Sequence, residues 1–408
     1  MQMPYNPEQP LVMHVDLNSA FATIEQQARP RLRGRPVAIV NRRTELTSIV
    51  TASYEAKAKG VKVGMRFQDA ARLVPGLIAI ESEPEKYRYV YKKLFKIMSD
   101  YSPSVVMKSI DEGVIDFHGV VGVESMQDIG LDIKRRLREE VGCAMRCNVG
   151  IGPNRFLAKT AAGLHKPDGM DTIDSINLRQ VLSKLELTDL TGIASHNEAR
   201  LRAVGINTPL QFLDADQVVL EKIVFKSIVG KQWYRRLRGW EVDDRSFDMK
   251  RVGRQYVLEN RNLSRDQILQ RLHNLCESVG SRMRSKNKVA RGIYVYARTA
   301  QDGYWHACRL AQLPFYSNQT IYGLAQQLFM RAPAFGIREI GIHCYELSDD
   351  DDIQTSIFGD MLARQHQLVD AIDEVNRRYG ERTVHSADTT NTGDFIKQKV
   401  PFGSTRFL

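Results

Sequence analysis

Apolar and polar positions alternate over Leu11–Leu17 (LVMHVDL), the period of a half-buried strand. The next stretch, SAFATIEQQARP, changes to helical spacing, with Ser19 as the predicted cap and Pro30 as the stop. RPVAIVN (35–41) and LTSIVTASY (46–54) are rich in β-branched residues and predict strands. EAKAKGVKVGM turns on Gly60 and Gly64, FQDAARLVP is helical, and a tyrosine-rich amphipathic helix follows near 85–100. KSIDEGVIDF (Lys108–Phe117) predicts a buried strand, then come a helix at 125–141 and a strand at 143–152. Interleaved strands and helices indicate an α/β or α+β core.

From about 170 to 240 the pattern is helical with short loops, and TGIASHNEARLRAVGI (191–206) outlines two small helices joined around Gly-Ile. WEVDDRSFDMK (240–250) is polar and weakly periodic, a linker. A second α/β-like segment spans 251–347, with helices near 265–285 and 317–331 and the strands VARGIYVYAR and REIGIHCYEL. SDDDD (348–352) opens a tail that carries one helix near 360–379, and no internal repeat is visible.

Composition narrows the class. A chain of 408 residues holds two to four domains of about 100–200 residues each. With 43% hydrophobic and 26% charged residues it reads as a soluble globular protein. Its net charge of +10 favours polyanionic partners. Cys143, Cys147, Cys276, Cys308 and Cys344 match no disulfide or zinc spacing and read as free thiols in a reducing cytoplasm. MQMPYNPEQP has no basic and apolar regions of a signal peptide, and no apolar run approaches the ~20 residues of a membrane span.

One feature of this pattern is chemically unusual. Asp111 and Glu112 sit side by side in a run that otherwise reads as buried, and Asp16 ends the first strand. Buried acids are rare unless paired or bound to a metal. Carboxylates gathered on adjacent strands suit hard cations such as Mg²⁺. Neighbouring strand residues point to opposite faces, so the pair can share a metal only near a turn or bulge, and Gly113 is placed to supply it. On these residues alone a solvated hairpin end stands equally open.

LVMHVDLNSAFATIEQ, TASYEAKAKGVKVGM, SIDEGVIDF and NVGIGPNRFLAKTAAGLHKPDGM occur in that order. Together they closely resemble the Y-family (translesion) DNA polymerases, in the bacterial DinB, polymerase IV-like, branch. The resemblance runs from about residue 10 to 347. It implies an α+β multidomain fold of the right-hand type. The palm would comprise 1–27 and 81–170, the small fingers 28–80 and the helical thumb 171–240. A linker at 241–250 would lead to an α/β little finger at 251–347 and a C-terminal tail at 348–408.

By motif position the resemblance makes Asp16, Asp111 and Glu112 the catalytic carboxylates. With the Leu17 carbonyl they would hold two Mg²⁺ ions, for which Mn²⁺ can substitute. Ser109 and Lys159 would support the metal site and the primer end. Thr51, Tyr54, Lys57 and Lys166 match contacts to the dNTP triphosphate, and Phe21 falls at the steric gate against a ribose 2′-hydroxyl. Three positions depart from the pattern. Many relatives carry Arg where Lys57 stands, which loses the bidentate fork; Asn18 replaces a second Asp; and Gly192-Ile193-Ala194 replaces Gly-Ile-Gly, where the added methyl obstructs a backbone approach to phosphate.

The implied partners follow. Lys250, Arg251, Arg254, Arg282, Arg284, Lys286, Lys288 and Arg291 would meet phosphates of primer–template DNA without reading sequence. Gln354-Thr-Ser-Ile357-Phe358 resembles a pentapeptide that docks on the bacterial sliding clamp. The expectation is a monomeric, cytoplasmic, nucleoid-associated enzyme of low fidelity, adding dNTPs to a primer during DNA damage bypass. The competing reading is a non-catalytic accessory protein on the same fold; such relatives lose the acidic residues, and this chain keeps all three.

Overall fold

The structure, a computed structural model, describes residues 3–42, 47–120, 125–244, 248–260, 262–299, 303–333, 336–349, 360–392 and 396. The chain divides into two compact units, Met1–Arg245 and Ser246–Gln398. The first unit opens with β1 (Val12–Leu17), α1 (Ala20–Ala28), β2 (Val37–Val40), β3 (Ile49–Ala52), α2 (Tyr54–Lys57), α3 (Phe67–Leu73) and β4 (Ile78–Glu81). It continues with α4 (Pro84–Ser99), β5 (Val105–Met107), β6 (Glu112–Asp116), α5 (Met126–Glu140), β7 (Cys147–Gly152), α6 (Arg155–Leu164) and β8 (Met170–Thr172). Four short helices close it: α7 (Leu178–Leu182), α8 (Ser195–Arg202), α9 (Pro209–Asp214) and α10 (Val229–Leu237). The fold is α+β. Among the described residues no helix is long and apolar enough to cross a membrane.

Five strands form the main sheet in the order β5-β6-β1-β7-β8, so β1 lies at its centre. Its alternation sorts two faces. Met13, Val15 and Leu17 join a core with Tyr87, Leu94 and Ile97 of α4 and Ile133 and Leu137 of α5. His14 and Asp16 point to the other face, which α6 covers. That helix sits unusually close. A Cβ on Gly150 of β7 would lie 2.0 Å from the Ala158 carbonyl oxygen and 2.2 Å from Ala162 N, so only glycine admits the helix backbone here. A separate three-stranded sheet, β3-β2-β4, packs on α2 and α3 through Ala38, Ala52, Ala56 and Ala70 together with Ile49, Val61, Val74 and Leu77. The short helices enclose their own cluster around Phe212, Phe225 and Trp233.

Several expectations change. Lys108–Phe117 is not one strand: residues 108–111 form the turn of a β5–β6 hairpin, with Lys108 N and Ser109 N both donating to the Glu112 carbonyl. The turn therefore precedes Glu112, and Gly113 is a regularly paired strand residue opposite Val15 and Met107. Its smallness serves packing instead, since a Cβ there would lie 2.7 Å from Met107 Sδ and 2.8 Å from Met98 Cε. In 191–206 only one helix, α8, is present, preceded by a loop through Gly192. Ser19 does flank α1, but at φ 44° and without a side-chain cap bond.

The second unit comprises β9 (Arg251–Val257), α11 (Arg265–Arg284), β10 (Lys288–Thr299), β11 (Tyr304–Phe315), α12 (Asn318–Phe329), β12 (Ile337–Asp349) and α13 (Asp360–Tyr379). Its sheet runs β11-β10-β12-β9, and α11 and α12 cover one face over Val252, Ile293, Val295, Ile340 and Ile342. β9 and β11 were not anticipated. The segment after α13 is docked rather than loose. Glu277 of α11 accepts from Ser386 N (2.8 Å) and Thr389 Oγ1 (3.1 Å), and Asn274 Nδ2 donates to Thr392 Oγ1 at 2.9 Å.

Candidate active site

β1 and β6 pair antiparallel with Asp16 directly opposite Glu112. Like charges placed so are destabilising in an ordinary sheet. Asp111 joins them from the hairpin turn, where its carbonyl accepts from Leu17 N at 2.8 Å. The turn solves the parity problem: Asp111 is outside the ladder, so it is free of the strand's alternation. Ser109 Oγ donates to Asp111 Oδ1 and fixes that carboxylate.

Cations hold the other two acids. Lys159 of α6 donates to Glu112 Oε2 at 2.6 Å, and Lys166, just past the helix, donates to Asp16 Oδ2. The Asn154 side chain caps α6 by accepting from Leu157 N at 2.8 Å and anchors it by donating to the Arg236 and Trp240 carbonyls. Lys57 of α2 donates to Ser19 Oγ at 2.8 Å and lies 4.9 Å from the Tyr54 ring. Tyr54 in turn lies within the fields of Lys166 and Asp16. Thr51 is half-buried in β3.

The electrostatics separate the acids. Burial, reinforced by the charges of Asp16 and Glu112 and opposed by the Ser109 hydrogen bond, holds the Asp111 carboxyl above its ordinary range. Burial would also raise Glu112, but His14 and Lys159 outweigh it and bring that carboxyl down to about 2. Burial disfavours the Lys166 ammonium, yet Asp16 raises it above a free lysine. The site is thus an acidic centre with one carboxylate undercompensated.

Among the described residues no three acidic, His or Cys side chains converge as a ready metal cage. Asp16 and Glu112 are instead turned onto lysines. The donor chemistry nevertheless fits a divalent cation: three carboxylates close enough to perturb one another, all hard oxygen donors. His14 was missed by sequence reasoning. It is buried, its Nε2 lies 3.0 Å from Glu112 Oε2, and its Nδ1 has no partner. Its signal was the period of the strand, two residues before Asp16 on the same face. Asn18 is a structural pin: its Nδ2 donates to Asn148 Oδ1 and its Oδ1 accepts from Asp168 N, both at 2.7 Å.

Phe21 lies in α1, 3% exposed and stacked on Tyr87 with centroids 4.2 Å apart and planes at 12°. In the second unit, Lys250, Arg251, Lys286 and Arg291 are exposed. Lys288 pairs with Asp349 at 2.7 Å, and Arg282 donates to the Gly253 carbonyl at 3.3 Å. Two expected phosphate contacts are committed elsewhere. Arg284 forms a two-pronged pair with Asp373 of α13, at 2.6 and 2.9 Å. Arg254 turns into the helical layer onto Ser278 Oγ, where burial and the neighbouring Arg282 lower its pKa to about 10. Gln354, Ile357 and Phe358 lie outside the described residues.

Comparison with known proteins bears on this geometry. Residues 15–163 match the model of the impB/mucB/samB family, and 249–357 match that of its C-terminal domain. A protein named DNA polymerase IV from Moorella thermoacetica is 33% identical over 387 residues, covering 92% of this chain and 95% of the relative. Another of that name from Pelotomaculum thermopropionicum is 30% identical over 400 residues, covering 95% and 97%. Among solved structures, a chimera of the Y-family DNA polymerases Dbh and Dpo4 superposes with a TM-score of 0.69 at 23% identity, covering 82% of this chain and 98% of that one. An insertion ternary complex of Dbh DNA polymerase gives a TM-score of 0.56 at 23% identity, with the same coverage. The acidic centre of β1 and the β5–β6 turn lies wholly within the first matched segment, and the chain belongs to the impB/mucB/samB family, in the DinB-like branch of the Y-family DNA polymerases.

Proposed function

We propose that the chain is a template-directed DNA polymerase of the translesion type, adding dNTPs to a primer 3′-hydroxyl. The observation that carries this reading is Asp16 facing Glu112 across β1 and β6, with Asp111 in the adjoining turn. Mutual repulsion at such a site makes sense where a cation is to bind. Polymerases of this family depend on divalent metal; Asp16, Asp111, Glu112 and the Leu17 carbonyl would hold two Mg²⁺ ions. When bound, such ions activate the attacking oxygen and stabilise the leaving phosphate.

The chain's own residues do the positioning. Lys166, Lys57 and the neighbouring Tyr54 offer charge and hydrogen bonds to a triphosphate. Lys166, which donates to Asp16 Oδ2, would turn to phosphate where Asp16 serves as a metal ligand. Lys159 and Ser109 keep Glu112 and Asp111 oriented, and Phe21 would border the sugar. Such a reaction rests on positioning and charge neutralisation. Residues 1–27 and 81–170 would act as palm, 28–80 as fingers, 171–240 as thumb and 251–347 as little finger, with 354–358 docking a sliding clamp. The β3-β2-β4 layer with α2 and α3 has only a small core of its own, which suits a slight fingers region that encloses the nascent pair loosely. Retention of all three carboxylates speaks against a non-catalytic accessory role.

The test is primer extension with Mg²⁺ on undamaged and lesion-bearing templates, wild type beside Asp111→Ala. Extension past the lesion by wild type and none by the variant is expected. No extension by wild type on either template would favour the accessory role.

A further inference from the structure

Lys166 lies outside the regular elements, in the loop 165–169 between the end of α6 at Leu164 and the start of β8 at Met170. A side chain on a loop is placed only as well as the backbone that carries it. Here the backbone is tied at three points. The His165 carbonyl accepts from Asn148 Nδ2 at 3.0 Å, Asp168 N donates to Asn18 Oδ1 at 2.7 Å, and the Gly169 carbonyl accepts from Val149 N at 3.1 Å. The loop also folds back closely on itself: a Cβ on Gly169 would lie 1.9 Å from the His165 carbonyl oxygen.

Asn18 and Asn148 join this loop to the strand that carries Asp16. Asn148 of β7 pairs opposite Asp16, and the two residues are 0% and 2% exposed for Asn148 and Asn18. The ends of the hydrogen-bond chain fix how both amides point. The Asp168 N–H needs the Asn18 oxygen, so the Asn18 nitrogen donates to Asn148 Oδ1 at 2.7 Å, and the Asn148 nitrogen is left to face the His165 carbonyl. A carboxylate at residue 18 could accept at one end of this chain but not donate at the other. The amide that stands in place of a second Asp therefore has a physical use here. Asp168 secures the opposite side of the loop. Its φ of 59° is one that Asp and Asn tolerate. Its carboxylate draws in Lys134 at 3.1 Å, Arg138 at 2.5 Å and Arg146 at 3.5 Å, and Lys134, which is buried, also donates to its carbonyl.

These ties act on the loop backbone and on Asp168, and leave the Lys166 side chain able to turn between Asp16 and a phosphate. We propose that Asn18, Asn148 and Asp168 are positioning residues that set where the Lys166 ammonium meets the triphosphate of an incoming nucleotide. They act through Lys166 rather than on the nucleotide, so they govern how tightly it is held more than how fast it reacts. The inference rests on the polymerase reading above, in which Lys166 is a triphosphate contact.

The experiment uses the full chain as wild type, Asp168→Asn, Lys166→Ala and the double variant. Asp168→Asn keeps the side-chain shape and the left-handed backbone but removes the charge that gathers the three cations. In single-nucleotide incorporation it should raise the dNTP KM roughly tenfold with kcat within about twofold of wild type. Binding of the next complementary dNTP to enzyme on a dideoxy-terminated primer, read by fluorescence, should weaken by the same factor. In the Lys166→Ala background the same substitution should change either value by less than about twofold, because the group it positions is gone. Arg138→Met, at the half-exposed end of the clamp, should act in the same direction by roughly threefold and serves if Asp168→Asn does not fold. Unchanged dNTP KM in folded Asp168→Asn, or in folded Arg138→Met where that variant stands in for it, overturns the proposal, as does a tenfold effect that persists without Lys166. Extension by wild type with either of these results sinks this inference alone, whereas no extension by wild type overturns the polymerase reading and this inference with it.

Discussion

Phe21 is asked to do two things, to pack in the core and to gate the incoming sugar. At 3% exposure, stacked on Tyr87 at 4.2 Å, it is a core residue, and Tyr87 is itself held by its hydroxyl donating to Glu25 Oε1 at 3.2 Å. Truncation to Ala removes a buried ring and leaves a cavity, a cost of about 3–5 kcal/mol, with some 0.5–1.5 kcal/mol of ring–ring contact inside that figure. Against a total stability of roughly 5–15 kcal/mol this is a large fraction. Phe21→Leu keeps most of the volume and should cost roughly 1–2 kcal/mol. As a gate, the planar ring would exclude a 2′-hydroxyl, and its removal should relax sugar discrimination by roughly 10- to 200-fold, the span for one steric group in a pocket. The assay is single-nucleotide incorporation, comparing kcat/KM for a dNTP and its ribonucleotide, with urea melts of both variants run alongside. Folded Phe21→Ala protein with an unchanged dNTP-to-ribonucleotide ratio would refute the gate and leave Phe21 as core alone.

Gly150→Ala drives a Cβ to 2.0 Å from the Ala158 carbonyl oxygen, a backbone atom that no rotamer change can clear. It should cost roughly 3 kcal/mol or more and shift Lys159 off Glu112, lowering both the urea midpoint and extension; a wild-type melt contradicts it. Arg284→Ala leaves Asp373 unpaired and should destabilise the second unit by roughly 2 kcal/mol, discounted because Asp373 is partly exposed, without changing the salt slope of DNA binding. Arg251→Ala should do the reverse, reducing that slope by about one; a reduced slope in Arg284→Ala would restore it as a phosphate contact. Asp111, raised by burial and its acidic neighbours, binds its proton more tightly folded than unfolded. Its ionised form therefore costs stability as pH rises above the unfolded value of about 4. In EDTA, Asp111→Asn should melt above wild type near pH 7, with the difference vanishing below about pH 4; a lower melt near neutrality contradicts this.

The sequence made much of the frame legible. Strand alternation located β1, and helical spacing located α1, α4, α5, α11 and α13 to within a few residues. The motif order picked out Asp16, Asp111 and Glu112, and the ladder brings Asp16 and Glu112 face to face. What escaped was tertiary in origin. The apolar character of Lys108–Phe117 arises from burial on both sides of a hairpin, so composition read a turn as strand. β11 (YWHACRLAQLPF) has an exposed face and a thinly covered one, and so lacks the apolar density that marks β10. Arg254 and Arg284 look like surface cations because their partners, Ser278 and Asp373, are 24 and 89 residues away. Gly113 looked like a bulge because nothing local revealed Met98 and Met107 against it.

The central claim is that three carboxylates, through divalent metal, copy a template. Single-turnover primer extension with Mg²⁺ on a defined template, comparing wild type with the isosteric Asp111→Asn, tests it most directly. The account predicts template-complementary addition by wild type, abolished by EDTA and reduced by roughly a thousandfold or more in the variant, a loss of about 4 kcal/mol of transition-state stabilisation. Equal rates for the two proteins, both folded, would contradict it.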